Sequence, residues 1–276
     1  MSYEQVTYSR EGAIATLTLN RPRARNAVSR KMAAEIRSAL QEAGRDSQVR
    51  VLVVTGAGDA FCAGVDLNEA RQGIDLTAGP EGQVLQNPAG GLDLILRRLD
   101  KPTVAAVNGP AIGMGCDLAL CCDFRVCAPT ARFWEPYVQR GSIPSAGCYY
   151  LPRLIGLAGA YRMLLLGEAV DAEEAERIGL AHKGGPADEV MVEANAMAEQ
   201  LAQASPTCLQ ATKHAMWLGL EADLEATLDY VTHARTVAEL SGDFEEGIKA
   251  YLERREPVFQ GTRVALTNRG KGIPPA

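Results

Sequence analysis

The chain has 276 residues, of which 47% are hydrophobic and 22% charged. That composition belongs to a globular protein with a sizeable core and excludes a disordered, collagenous or disulfide-scaffold chain. A formal net charge of −6 argues against nucleic acid as the main partner, and no apolar run reaches the roughly 20 residues of a membrane span.

The first residues, MSYEQVTYSREG, lack a basic stretch followed by an apolar one, so no secretory signal is expected. The seven cysteines, several of them inside apolar runs (Cys116, Cys121, Cys122), then read as small buried hydrophobes in a reducing cytoplasm.

In chain order, residues 3–9 and 13–19 alternate apolar and polar around Glu11-Gly12, which predicts a β-hairpin. Ser29 can N-cap a helix with Met32, Ile36 and Leu40 on one face, ending at Gly44. Val49 to Thr55, Thr103 to Val107 and Phe124 to Ala128 are continuous apolar runs, as in strands buried on both faces. Residues 71–91, rich in Gly, Gln and Pro, read as a mobile loop with a short helix. Beyond about residue 145 helices are expected over 146–155, 158–166, 172–178, 187–204, 206–219, 221–239 and 243–253, with Pro206 opening one of them. The pattern is an α/β half followed by a helical extension.

Common chemical motifs are missing. Gly113-Met114-Gly115 lacks the third glycine of a dinucleotide fingerprint, and there is no phosphate loop, nucleophile elbow or C-x-x-C metal pair. His182, His214 and His233 are scattered through the helical half and read as surface or packing residues. Two glycine-containing turns remain, Gly56 to Asp66 and Asn108 to Asp117, each after a buried strand and before a helix. They could aim two backbone N–H groups at one point, as an oxyanion hole does. They could equally be tight strand-to-helix connections.

Phe61-Cys62-Ala63-Gly64-Val65-Asp66-Leu67 and the run from Lys101 through Asn108-Gly109-Pro110-Ala111-Ile112-Gly113-Met114-Gly115-Cys116-Asp117 to Leu120 resemble signatures of the crotonase (enoyl-CoA hydratase/isomerase) superfamily. Leu19 to Ala27, Gly141-Ser142-Ile143-Pro144, Leu151-Pro152-Arg153 and Asp243 to Arg255 are similar to it in the same order. The resemblance implies an α/β fold, a crotonase-like spiral of ββα repeats with a C-terminal helical region. It divides the chain into a core over 1–200 and a helical trimerisation region over 201–276. It implies a homotrimer or a dimer of trimers and an acyl-CoA thioester substrate, with coenzyme A entering as part of the substrate and no separate cofactor or metal.

The resemblance also implies site residues. The Val65 and Met114 amides would hold the thioester oxygen. Asp117 falls where family hydratases carry one catalytic glutamate, and Tyr137 falls on the second. Tyrosine, with a pKa near 10, is a poor base at neutral pH but can donate a hydrogen bond. Arg23 and Arg25 would meet the CoA phosphates. Ala63, Asp66 and Leu67 would border the adenine and pantetheine, and Asp66 would also organise its turn. Gly113 shapes the second turn, and Trp134, Tyr149 and residues 71–91 would line the acyl pocket. Glu135 reads either as a displaced carboxylate sharing a face with Tyr137 in an extended segment, or more simply as a surface charge paired with Arg132 or Arg140. The expected activity is enoyl-CoA hydration or isomerisation. Decarboxylation or thioester hydrolysis on the same fold, and a non-catalytic CoA-binding or scaffold role, are the alternatives.

Overall fold

The computed structural model describes residues 3–71, 91–184 and 189–261. They form two compact units, one of the described residues up to 199 apart from 100–102, and one of residues 100–102 with 200–261.

The first unit opens with the hairpin β1 (Val6–Glu11) and β2 (Ile14–Leu19), paired antiparallel from Val6 opposite Leu19 to Glu11 opposite Ile14. Helix α1 (Arg30–Arg45) follows. The Ser29 hydroxyl accepts from the Met32 amide, and Met32, Ile36 and Leu40 are buried on one face. The helix runs one residue past Gly44, and the Asp46 backbone N–H closes it by donating a hydrogen bond to the Glu42 carbonyl. Then come β3 (Val51–Gly56), α2 (Leu67–Arg71), α3 (Leu92–Arg97) and β4 (Thr103–Val107). The short strand β5 (Ala111–Ile112), helix α4 (Met114–Cys121), β6 (Phe124–Cys127) and β7 (Arg132–Trp134) complete the middle. After these lie α5 (Ala146–Leu164), β8 (Val170–Asp171), α6 (Ala172–Arg177), β9 (Lys183–Gly184) and α7 (Val190–Gln203). The two helices expected over 146–166 join as α5 across Gly156, whose φ of 71° breaks the helical path.

Two sheets result. The larger has the order β1-β2-β3-β4-β6-β9, parallel from β2 onward, and the smaller has the order β5-β7-β8. Every residue of β3 and β4 is buried, as their unbroken apolar sequences require in a sheet covered on both faces. Five cysteines are buried, but Cys148 and Cys208 are exposed, which corrects the expectation for those two. His182 accepts from the Arg125 amide at 2.8 Å and packs on Phe124, while His214 packs on Tyr230. The loop expected over 71–91 lies outside the described residues except at its two ends.

The second unit holds α8 (Pro206–Gly219), α9 (Leu224–Glu239) and α10 (Asp243–Glu253). Pro206 occupies the first helical position behind the Ser205 N-cap, and Asp223 caps α9 by accepting from Ala226. Buried Asp243 accepts from the Ser205 hydroxyl at 2.6 Å and from the amides of Gln260 and Gly261. Leu224, Leu240, Tyr251 and Leu252 each expose more than 70% of their surface. No described helix is long and apolar enough to cross a membrane.

Asn26 fastens the end of the hairpin to the turn after β3. It is fully buried with φ of 56°, a left-handed conformation that asparagine tolerates better than most residues. Its side-chain amide donates to the carbonyls of Ala57 and Ala60, and its oxygen accepts from the Arg21 amide. Asn26→Ala strands these buried groups and should lower unfolding free energy by about 3 kcal/mol, read from urea unfolding. A loss under about 0.5 kcal/mol would contradict this role.

Candidate active site

The two glycine turns are bonded to one another. The Cys62 amide donates to the Pro110 carbonyl at 3.0 Å, and the Ile112 amide donates to the Cys62 carbonyl at 2.9 Å. The Asn108 side chain closes the first turn by donating to the Gly56 and Gly58 carbonyls. Glycines are required by the approach: a Cβ on Gly109 would stand 2.1 Å from the Asp59 carbonyl oxygen. A Cβ on Gly115 would stand 2.2 Å from the Cys62 carbonyl oxygen, and one on Gly64, whose φ is 92°, would stand 2.7 Å from the Ile112 oxygen. That same Gly64 Cβ would lie 3.6 Å from the Met114 nitrogen, so the chain just before Val65 meets the chain at Met114. Neighbouring amides are engaged: Gly113 donates to the Trp134 carbonyl and Asp66 to that of Val28. The Val65 and Met114 amides have no acceptor among the described residues.

Beside this junction lies a group of buried acids. Asp117, in the first turn of α4, is 1% exposed. Its Oδ1 accepts from the Gly147 amide at 2.6 Å. Its Oδ2 accepts from the Tyr137 hydroxyl at 2.9 Å and lies 3.1 Å from the Ser145 hydroxyl. Burial raises the Asp117 pKa, and the donors from Tyr137, Gly147 and Ser145 partly offset that rise. Burial and then the Asp117 charge push the Tyr137 phenol up, so it stays a hydrogen-bond donor. A Cβ on Gly113 would sit 3.6 Å from the Tyr137 hydroxyl, which places that hydroxyl against the second turn.

Glu135 departs from both expectations. It is fully buried and makes no ion pair with Arg132 or Arg140, which are exposed. It also does not share an extended face with Tyr137. β7 ends at Trp134, and Tyr137 already has helical dihedrals at the head of the 3-10 turn Val138–Arg140. Neither Glu135 carboxyl oxygen has an oxygen or nitrogen partner. Burial, then the charge of Asp117, holds its pKa well above the usual carboxylate range, and the Cys116 thiol offsets little of this. With no donor to hold a charge, its surroundings favour the protonated form.

The other expected residues lie around this centre. Arg23 and Arg25 are exposed in and just after the 3-10 turn Pro22–Ala24. Ala63 donates its amide to the Arg25 carbonyl at 2.9 Å, which ties the first turn to that segment. Asp66 pairs with Arg21 at 3.0 Å and accepts from the Asn68 amide; these contacts hold its pKa down against the effect of burial. Leu67 is exposed at the start of α2. The Trp134 indole N–H donates to the Gly167 carbonyl at 2.8 Å, and Arg97 and Arg153 flank the Tyr149 ring. Among the described residues no cluster of His, Cys, Asp and Glu could hold a metal ion. Sequence reasoning passed over Asp93 and Arg21. Asp93 had a visible signal, a single charge inside the apolar run Leu92-Asp93-Leu94-Ile95-Leu96.

A raised Glu135 pKa fixes the sign of one pH effect. The folded state keeps the proton that the unfolded chain releases above about pH 4.5, so stability falls as pH rises from there through the folded pKa. Glu135→Gln removes this dependence while Asp93 and Asp117 keep theirs. Between pH 5 and 8 the unfolding free energy of the parent should fall faster than that of the variant, by up to about 1.4 kcal/mol per pH unit. Parallel curves from urea unfolding would show that Glu135 ionises freely.

The comparisons with known proteins fit this geometry. The enoyl-CoA hydratase/isomerase family profile matches residues 9–262. The 2,3-dehydroadipyl-CoA hydratase of Escherichia coli K12 is 37% identical over 258 residues, covering 93% of this chain and 99% of that protein. The crotonyl-CoA hydratase of Syntrophomonas wolfei is 33% identical, covering 94% and 99%. Among solved structures, an enoyl-CoA hydratase subunit from Geobacillus kaustophilus superposes with a TM-score of 0.86 at 34% identity, covering 94% of this chain and 99% of that one. The α/β unit with its helical C-terminal region is thus the crotonase fold, and the chain belongs to the enoyl-CoA hydratase/isomerase family.

Proposed function

We propose that the protein adds water across the double bond of a 2-enoyl-CoA thioester, with Asp117 and Tyr137 acting as one proton-handling pair. The observation that carries this reading is the 2.9 Å hydrogen bond from Tyr137 to Asp117 Oδ2, with the hydroxyl lying against the turn that bears the Met114 amide. The names of the relatives, hydratases of dehydroadipyl-CoA and crotonyl-CoA, support the reaction class.

The Val65 and Met114 amides hold the thioester oxygen, and Gly113 keeps the second turn in place. Because Tyr137 donates its own proton to Asp117, its oxygen is free to accept from a water. As that water attacks Cβ, its proton passes to Tyr137 and the Tyr137 proton passes to Asp117. The alkene electrons move onto the thioester oxygen, where each amide donor contributes about 3 kcal/mol of stabilisation to the enolate. The proton then returns along the same path to Cα, and Asp117 is again ionised. Tyrosine serves here without becoming a phenolate, which its raised pKa forbids. The steps call on no metal and no cofactor beyond the CoA carried by the substrate.

Exposed Arg23 and Arg25 offer guanidinium groups for the CoA phosphates, bordered by Ala63, Asp66 and Leu67. Trp134 and Tyr149 form part of the acyl pocket. The seven cysteines, none of them in a disulfide, fit a cytoplasmic setting. The helical second unit, with its exposed Leu224, Leu240, Tyr251 and Leu252, is the surface that assembles a homotrimer or a dimer of trimers. Light scattering should return a mass of three or six chains, and a monomer at micromolar concentration would refute the assembly.

Asp117→Asn should lower kcat for crotonyl-CoA hydration about 10³-fold, with little change in CoA binding. Tyr137→Phe should lower kcat as well, by about 10²-fold. In D₂O the product should gain the mass of one solvent molecule. An isobaric product with deuterium exchange would point instead to double-bond isomerisation, which a single carboxylate can carry out. Full activity in Asp117→Asn would remove the assignment.

A further inference from the structure

Ser145 occupies the N-cap position of α5, yet its hydroxyl does not cap that helix. The Asp117 carboxylate does so in its place, accepting from the Gly147 amide two residues into the helix. Ser145 Oγ instead lies between two carboxyl groups, 3.1 Å from Asp117 Oδ2 and 3.3 Å from Asp93 Oδ2. A hydroxyl carries one proton and can donate to only one of them. For both contacts to be hydrogen bonds, one carboxyl group must bring a second proton.

We propose that Asp93 is a positioning residue that sets the proton affinity of Asp117 through the Ser145 hydroxyl. It rests on the reading of Asp117 as the proton-handling carboxylate. Asp93 is buried in the first turn of α3. When Asp93 carries a proton it donates to Ser145, which then donates to Asp117. The chain points one way and favours ionised Asp117. When Asp93 is ionised it competes for the Ser145 proton and repels the Asp117 charge, making Asp117 the better base. Burial, then the Asp117 charge, pushes the Asp93 pKa up to about 6, so the switch between these arrangements falls just below neutral pH.

The groups around Asp93 leave this control to Ser145 and Asp117. From α4 it faces Asp117 and Cys121, and its charge also reaches Glu135 beyond β7. Burial raises the pKa values of both Cys121 and Glu135 well above their usual ranges, so each favours its protonated form. Among the described residues no cation, and no group of α1, contributes to the Asp93 shift.

The test is the pH profile of kcat/KM for crotonyl-CoA. Asp93→Asn keeps the shape, donates permanently to Ser145 and removes the charge. The acid limb should move down by about one pH unit with KM unchanged. Ser145→Ala removes a donor to Asp117 and should move the same limb up. Opposite shifts are the signature of the bridge; a merely structural role would lower kcat at every pH and leave the limb in place. If Asp93→Asn does not fold, as judged by its circular dichroism, the Ser145→Ala limb decides alone, and an unmoved limb overturns the proposal. Asp117→Asn serves as the control. If it is inactive while the Asp93→Asn limb stays in place, the bridge fails alone. If it is fully active, the underlying reading of Asp117 fails and the bridge falls with it.

Discussion

Two backbone hydrogen bonds through Cys62, one to Pro110 and one from Ile112, hold the active region together. They join a turn that follows β3 to a turn that follows β4. Each turn alone would position one amide; the joint positions two against each other. If the Val65 and Met114 amides hold the substrate oxygen as proposed, the rigidity of this joint matters more than the side chains at those two positions. A displacement of about 1 Å can cost two orders of magnitude in rate, which fits the glycines at the points of close approach, Gly109 against the Asp59 carbonyl and Gly115 against that of Cys62. Asn26 and Asn108 extend the same joint with side-chain amides where the backbone has no partner of its own.

The acids beside the joint are separated by their surroundings and not by their chemistry. Asp117 has three donors and can exist as an anion despite being almost fully buried. Glu135, equally buried, has no such donors and keeps its proton. Removing a carboxylate from water without hydrogen bonds is far costlier than protonating it. Like carboxyl groups in different local environments thereby take different protonation states, a familiar basis for dividing acid and base roles.

Much of this was legible in the sequence. The hairpin, the buried strands and the helices after residue 145 follow from apolar periodicity, because each buries one face or both. The end of α1 was misplaced by one residue since Asp46, not Gly44, closes it. The burial of Glu135 is not legible in the sequence, because it depends on the backbone turning after Trp134 and carrying Glu135 inward. Asp93 could be seen as an odd charge in an apolar run, but its partner lies 52 positions away at Ser145, and only tertiary structure brings the two together. The pairing of Asp66 with Arg21, across 45 positions, was hidden for the same reason.

The capping of α5 by Asp117 limits how this scaffold can diverge. On the reading proposed above, one carboxylate both handles protons and fastens the first segment of α5, up to the break at Gly156. A lineage that changed its chemistry by deleting that carboxylate would unfasten the helix in the same step, and would need a new cap at position 145 before the loss could be tolerated. Changes at 137 carry no such debt. A change of chemistry at position 137 alters the partner of Asp117 and leaves the fastening of α5 in place.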